Sequence, residues 1–152
     1  MSRLMEGKVV LVTGATSGIG RETARQLADM GARVLVHGRS LAKAQAAVAE
    51  LGLPDLEPVA ADLSLMAEVR ALAEQVRERT DRLDVLVNNA GMTTDQHITT
   101  AEGHELCLAV NHLAPFLLTL ELLPLLEAAA PARVVTVSSA LYASVKRLDL
   151  DE

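Results

Sequence analysis

A tyrosine and a lysine near the end of the sequence have the types and spacing needed for proton chemistry. Tyr142 and Lys146 are four residues apart, so on a helix both side chains would lie on one face. A neighbouring ammonium lowers the pKa of a phenol, which is ordinarily about 10, and so prepares the phenol for acid/base catalysis. The pair is therefore the first candidate for a catalytic site.

A glycine-rich turn is the first candidate for a binding site. In "TGATSGIGR", Gly14, Gly18 and Gly20 follow a Val/Leu-rich segment. Such a turn lets the backbone approach a diphosphate, and the helix that follows presents free amides and the positive end of its dipole. A P-loop would need lysine at position 20, and a hydrolase elbow would need its serine one place before Ser17. The spacing predicts a dinucleotide-binding turn.

The residues after the second predicted strand indicate which dinucleotide. An NAD site usually offers a carboxylate there, but this chain reads His37-Gly38-Arg39-Ser40 and has no acid. The guanidinium of Arg39 is a planar cationic fork suited to a phosphate, and Ser40 offers a further hydrogen bond. We therefore predict NADP rather than NAD. The alternative is that Arg39 is an ordinary solvated loop residue.

Five short apolar segments predict the elements that position these residues. Each reads as a strand buried on both faces, although the third is weaker. The predicted strands cover residues 8–14, 32–38, 55–62, 83–91 and 132–139. Helical spacing separates them, as in the segment with Leu65, Val69, Leu72 and Val76 on one face. The alternation predicts an α/β fold with a doubly wound parallel sheet, built as a single domain over residues 1–152.

The last predicted helix has a start and a bend that the sequence marks. Thr99 and Glu102 have capping-box spacing, which predicts a helix start there, and Pro115 predicts a bend. The leucine-rich helix that follows is interrupted by proline and glutamate, so we expect it not to span a membrane. Cys107 lies between leucines and is predicted to be an inert core thiol.

Composition excludes several classes of partner. The net charge is −6 and the 14 basic residues are scattered, so we expect no nucleic-acid partner. A single cysteine excludes an intramolecular disulfide framework. The opening apolar run is too short for a signal peptide, and we expect a cytoplasmic protein.

The chain resembles the short-chain dehydrogenase/reductases, and its sequence is most similar to the retinol-dehydrogenase-like branch. The resemblance rests on five marks in family order: "TGATSGIG" at 13–20, Asp62, "NNAG" at 88–91, Asn111 and "VVTVSS" at 134–139. It implies a Rossmann-like fold and hydride transfer between a nicotinamide cofactor and a small alcohol or carbonyl substrate.

The resemblance also implies roles for individual residues. The 14–20 turn would hold the diphosphate, Asp62 and Leu63 would lie beside the adenine, and 89–91 would line the adenosine-to-ribose stretch. With Arg39, the predicted cofactor-binding residues are Gly14, Ser17, Gly18, Ile19, Gly20, Arg39, Asp62, Leu63, Asn89, Ala90 and Gly91. Two plainer roles stay open: Asp62 as the cap of a helix beginning near Ser64, and Asn88 as a tie between strands.

Ser139 matches the family serine that orients the substrate oxygen, with Ser138 as the second choice. Asn111 matches the asparagine of the proton path. A strand-end serine and a helix asparagine bonded to backbone are the plainer alternatives.

The same resemblance argues against Tyr142 and Lys146 as the catalytic pair. In the family, a strand end, a turn and a new helix separate the serine from the tyrosine, but Tyr142 comes three residues after Ser139. We therefore expect an amino-terminal portion that precedes the Tyr/Lys helix. Such a portion would leave strand five as an open edge and would be marginal or dependent on homo-oligomerisation.

Two other classes of function stay open at the level of sequence. The first is a catalytically inactive nucleotide-binding or interaction module. The second is a metal hydrolase using His97, His104, Cys107 and His112. No carboxylate-rich ligand set surrounds these four, so we predict no metal site.

Overall fold

The computed structural model describes residues 4–140, and these form a five-stranded parallel sheet in the order β3-β2-β1-β4-β5. The strands are β1 (Val9–Val12), β2 (Arg33–Gly38), β3 (Leu56–Ala60), β4 (Val85–Asn88) and β5 (Arg133–Thr136). The predicted doubly wound parallel sheet is confirmed. Because the chain reverses its direction of travel across the sheet after β3, the carboxyl ends of β1 and β4 border a crevice at the switch point.

The strands are shorter than the sequence predicted. Residues 13–14, 89–91 and 137–139 follow the ends of β1, β4 and β5 instead of extending them. In each case these residues, most of them polar or glycine, leave the sheet at its carboxyl end.

Helices cover both faces of the sheet. They are α1 (Gly18–Asp29), α2 (Leu41–Leu51), α3 (Met66–Arg77), α4 (Leu106–Leu108) and α5 (Ala114–Ala128), with a π-helical turn at Ala109–Leu113. Alternate residues of each strand face opposite layers, so Val10 and Val34 pack under α1 and α2, whereas Leu11 and Leu35 pack under α3 and α5. Burying each such leucine contributes about 2 kcal/mol.

The predicted helix start at Thr99 is wrong. Thr99 forms an antiparallel bridge with Glu105, and the helix begins at Leu106, where the Glu105 carboxylate accepts from the amides of Cys107 and Leu108. Glu102 caps a different helix, since its carboxylate accepts from the amides of Met66 and Ala67 at the start of α3. A pattern confined to a few residues does not reveal a capping partner that is distant in sequence.

The irregularity predicted at Pro115 lies just before it. The π-helical turn carries Asn111, and Pro115 sits in the first turn of α5. A proline has no N–H, so Pro115 cannot donate to the carbonyl of Asn111 four residues earlier. Cys107 is only half-buried, which corrects the prediction of a core thiol.

One side of the described structure is apolar and exposed. Among the described residues, strand β5 pairs only with β4, and its valines are exposed, as are Phe116, Leu120 and Leu123 of α5. Within residues 4–140 the expected open edge is therefore present. By length and composition alone, the helical stretch Leu106–Ala128 is apolar enough to cross a membrane, with a mean hydropathy of 1.7. A core helix meets the same criterion, so this is weak evidence for a span.

Candidate functional site

The glycine turn between β1 and α1 has a backbone that only glycine accommodates easily. Gly14 and Gly18 have φ of +63° and +54°. A Cβ at Gly14 would lie 2.9 Å from the Cα of Ala90, and one at Gly20 would overlap the carbonyl of Gly14 and the side chain of Asn89. At Gly18, by contrast, nothing lies within 4 Å of the added Cβ. Two glycines thus serve packing, and Gly18 keeps the outer side of the turn open.

Thr13 fastens this turn to the segment after β4. Its buried hydroxyl donates to the carbonyl of Val87 and accepts from the amides of Asn89 and Ala90, both at 3.0 Å. The Asn89 side chain in turn donates to the carbonyls of Thr13 and Gly14, at 2.8 and 3.2 Å. The side-chain amide of Asn89 therefore uses its hydrogen bonds to hold the turn.

His37 fastens the turn on its other side. The ring is 3% exposed, its Nδ1 lies 3.1 Å from the amide nitrogen of Gly14, and its Nε2 lies 3.1 Å from the carbonyl oxygen of Ala61. Burial lowers the pKa of His37 to about 4, against the opposing effects of the Ala61 carbonyl and the Asp62 charge. The imidazole is consequently neutral at physiological pH.

These contacts leave a cleft of about 660 Å³ at the carboxyl ends of the strands. Every residue predicted to bind the cofactor lines it, from Gly14 to Gly91. Thr16 of the same turn also lines it, together with residues that the sequence interpretation did not assign to the cofactor, namely His37, Gly38, Lys43, Ala61, Ser64, Met92, Leu106 and Val110. The structure thus brings the predicted residues together, and their individual roles stay predictions.

Two cations border the cleft where the predicted NADP phosphate would lie. Arg39 follows β2 and Lys43 is in the first turn of α2, and both are exposed. The acid of α2, Glu50, pairs with Arg21 at 2.9 Å. Within residues 4–140 neither Arg39 nor Lys43 forms a salt bridge.

Asp62 takes part in a local turn at the cleft wall. One carboxylate oxygen accepts from the amide of Ser64 at 2.9 Å, and α3 begins only at Met66. Asp62 is therefore not the helix cap that the plainer interpretation proposed. Leu63 beside it is buried and lines the same wall.

The two predicted catalytic residues do not line the cleft. Asn111 accepts from the amide of Met92 at 2.9 Å and donates to the carbonyl of Met92 at 2.8 Å, so its side chain is bonded to backbone next to the cleft. Ser139 is exposed beyond the end of β5. Their catalytic roles stay predictions, and Tyr142 and Lys146 lie outside the described residues.

The side chain of Asn88 connects the sheet to helix α5 and not to a neighbouring strand. Its amide nitrogen donates to the hydroxyl of Thr119 in α5 at 3.2 Å. Its side-chain oxygen is buried and has no hydrogen-bond partner among residues 4–140.

The metal-hydrolase alternative finds no support in the described part of the chain. Residues 4–140 contain no group of three or more His, Cys, Asp or Glu side chains that could hold a metal ion. Of the functional contacts that sequence reasoning missed, Thr13 and His37 could have been noticed as polar residues in otherwise apolar strands.

Known proteins share this architecture. The chain is 42% identical to human retinol dehydrogenase 14 over 91% of its own length and 46% of the relative. It is 34% identical to RhlG of Pseudomonas aeruginosa, solved as an NADP active-site complex, with a TM-score of 0.80 over 91% of this chain and 57% of that one. A 3-ketoacyl-(acyl-carrier-protein) reductase from Brucella melitensis, complexed with NADH, gives 33% identity and a TM-score of 0.74 over 88% of this chain and 58% of that one.

The similarity to a retinol dehydrogenase confirms the predicted branch, and the chain spans less than half the length of that relative. A family model described as short chain dehydrogenase matches residues 8–146, which is nearly the whole sequence. Together with the parallel sheet and the glycine turn, this match places the chain in the short-chain dehydrogenase family.

Proposed function

We propose that this chain supplies the cofactor-binding half of an oxidoreductase that transfers hydride between NADP(H) and a small alcohol or carbonyl substrate. The observation that carries the proposal is the cleft at the carboxyl ends of the strands, which all predicted cofactor-binding residues line. Ligands of open α/β sheets bind at this switch point. The complexes of RhlG with NADP and of the Brucella reductase with NADH support a nicotinamide cofactor.

The glycine turn fits a diphosphate. Gly18 opens α1 with no atom near its missing Cβ, and the side chain of the N-cap residue Ser17 makes no capping hydrogen bond. The first amides of a helix have no partners within the helix, so α1 can direct N–H groups and its positive end toward an anion. Gly14 and Gly20 hold this geometry because a side chain at either position would collide with the Ala90–Asn89 side of the turn.

The cleft wall beside β2 favours the phosphate of NADP. Arg39 and Lys43 supply two cations, and the hydroxyl of Ser40 is not used to cap α2. No carboxylate follows β2, where one would repel a phosphate. Asp62 and Leu63 would flank the adenine on the β3 side of the same cleft.

The cofactor supplies hydride chemistry, so the protein must position the substrate and move a proton. Ser139 would orient the substrate oxygen from the end of β5. Asn111 would contribute from the π-helical turn, where its side chain is fixed by two hydrogen bonds to Met92. Its backbone carbonyl cannot receive the usual helical hydrogen bond from residue 115, because that residue is proline.

Titration with NADPH and NADH tests the proposal. Cofactor fluorescence is a suitable signal because the chain contains no tryptophan. We expect NADPH to bind at least about tenfold more tightly than NADH, since a charge-assisted phosphate contact exceeds a neutral hydrogen bond. Arg39→Ala should narrow that ratio, whereas Arg25→Ala, whose guanidinium pairs with Glu22 and Asp29 on α1, should leave it unchanged. Equal affinities of the unmodified chain for both cofactors would contradict the NADP preference.

A second candidate is a nucleotide-binding module without catalysis. The short interval between Ser139 and Tyr142 motivates it, as it also motivates a portion that precedes the Tyr/Lys helix. We expect weak cofactor binding and no hydride transfer from the purified 152-residue chain. Turnover of an alcohol or carbonyl that Tyr142→Phe abolishes would overturn this expectation.

A further inference from the structure

His37 is a buried polar residue to which the proposed function gives no role. It lies in β2 just before Gly38, and both ring nitrogens make hydrogen bonds. The amide of Gly14 is a donor, so Nδ1 must accept; the carbonyl of Ala61 is an acceptor, so Nε2 must carry the proton. The two partners together select the neutral Nε2–H tautomer.

The ring links the ends of three neighbouring strands. Gly14 follows β1, His37 belongs to β2 and Ala61 follows β3. Backbone hydrogen bonds run beside it, from the amide of Ala15 to the carbonyl of His37 at 2.8 Å and from the amide of Ala61 to the carbonyl of Gly38 at 3.2 Å. The imidazole is thus the side-chain component of a cross-link beneath the cleft.

The bond to Gly14 bears directly on the turn. Gly14 has φ of +63° and abuts Ala90 on its other side, so the histidine and the Ala90 segment enclose it. Without an acceptor at Nδ1, the part-buried amide of Gly14 would lose this partner, and a donor left unsatisfied costs more than the net value of the bond.

We propose that His37 is a positioning residue for the cofactor, which holds the glycine turn in its binding conformation by accepting the amide of Gly14. This inference rests on the proposed function. Protonation of Nδ1 would place two donors against each other, so acid should release the turn. The charged groups that line the same cleft are Asp62 after β3, Arg39 after β2 and Lys43 of α2.

A pair of variants separates this role from that of a packed core histidine. The amide oxygen of asparagine can occupy the place of Nδ1, so His37→Asn keeps the acceptor for Gly14. Glutamine reaches the place of Nε2, so His37→Gln keeps the contact with Ala61 and loses the acceptor. Both variants remove the ring, so loss of packing alone weakens them similarly.

Hydrogen exchange and NADPH titration provide the readouts. We expect exchange at Gly14 and Ala15 to accelerate in His37→Gln relative to His37→Asn, with the amides of α3, which does not carry the substitution, as the internal reference. NADPH affinity should fall about fivefold to tenfold in His37→Gln and less than about threefold in His37→Asn. Equal exchange and equal affinity in the two variants would overturn the proposal.

Two further outcomes are decisive. If the unmodified chain binds neither NADPH nor NADH, the proposed function fails, and the exchange rates still decide whether His37 holds the turn. If the variants do not fold, the imidazole ¹⁵N chemical shifts of the unmodified chain decide the matter. The Nε2–H tautomer at pH 7 supports the proposal, and the Nδ1–H tautomer or imidazolium contradicts it.

Discussion

The cleft side of this molecule is held by internal hydrogen bonds, whereas its open side leaves apolar side chains exposed. On the cleft side, at the carboxyl ends of β1, β2 and β3, Thr13 and His37 hold the glycine turn from opposite directions. On the open side, formed by β5 and the outer face of α5, the valines of β5 are exposed and Phe116 is 61% exposed. The cleft proposed to bind the cofactor is thus braced by internal hydrogen bonds, whereas the surface beside the predicted catalytic residues lacks a covering layer within residues 4–140.

The largest expected effect is the loss of cofactor binding in Gly20→Ala. The added methyl would overlap the carbonyl of Gly14 and the side chain of Asn89, and neither can yield without moving the turn. We expect NADPH affinity to fall by more than about a hundredfold, or about 3 kcal/mol. Gly52→Ala is the control for general destabilisation: it lies after α2, away from the cleft, its Cβ would meet only one atom, at 4.0 Å, and its φ of +63° makes alanine strained there, so it should weaken the fold without lowering NADPH affinity. Unchanged binding in Gly20→Ala would break the claim that the turn is braced.

Adjacent leucines of α5 test the contrast in packing. Leu122 is 0% exposed against α3 and the sheet, whereas Leu123 is 43% exposed on the open side. Leu122→Ala should lower the free energy of unfolding by about 3 kcal/mol, and Leu123→Ala by less than about 1 kcal/mol. Urea denaturation followed by circular dichroism provides the comparison. A large loss in Leu123→Ala at high protein concentration would show that self-association covers the open side.

Acid should also destabilise the cleft side, by an amount similar to that expected for Leu122→Ala but lost gradually as the pH falls. The pKa of His37 falls from 6.5 to about 4 on folding, so the unfolded chain takes up the proton first as pH is lowered. The contribution of neutral His37 to the free energy of unfolding is therefore fully present above pH 6.5 and is lost as the pH falls toward 4, by about 3 kcal/mol in total.

Burial raises the pKa of Asp84, but hydrogen bonds from Arg82, Lys8 and the amide of Val9 outweigh the effect of burial and hold the pKa at about 2. The loss due to Asp84 therefore comes below about pH 4.

His37→Asn separates these two windows. It should flatten the dependence of the free energy of unfolding on pH between 6.5 and 4, and leave the decline at lower pH in place. The same slope in both proteins would mean that other groups titrate there and that His37 contributes little.

Features of the fold and the site that depend on residues adjacent in sequence could be predicted from the sequence, and features that depend on residues distant in sequence could not. The glycine turn, Arg39 and the segment at 89–91 line one cleft because each directly follows a strand, and parallel strands bring their carboxyl ends to one edge. The role of His37 depends on the register of three strands, in which Val36 lies beside Val12 and His37 beside Val59. Local patterns do not determine that register.

The failed prediction at Thr99 has a related cause. Glu102 matches a local capping box, yet its carboxylate caps α3 across the fold. Competition between a local and a distant amide is decided by tertiary packing, which a four-residue pattern does not contain. Localisation, membrane association and oligomeric state stay predictions.

In the proposed function, the cofactor binds within this chain at a cleft that is separate from the open side. An NMR titration of the ¹⁵N-labelled chain with NADPH is the direct test, because chemical shifts also report weak binding. We predict saturable shifts in the amides of 14–20, 39, 62–63 and 89–91, with little change in the amides of β5. An absence of shifts, or shifts concentrated on β5 and the outer face of α5, would show that the cleft is not the cofactor site.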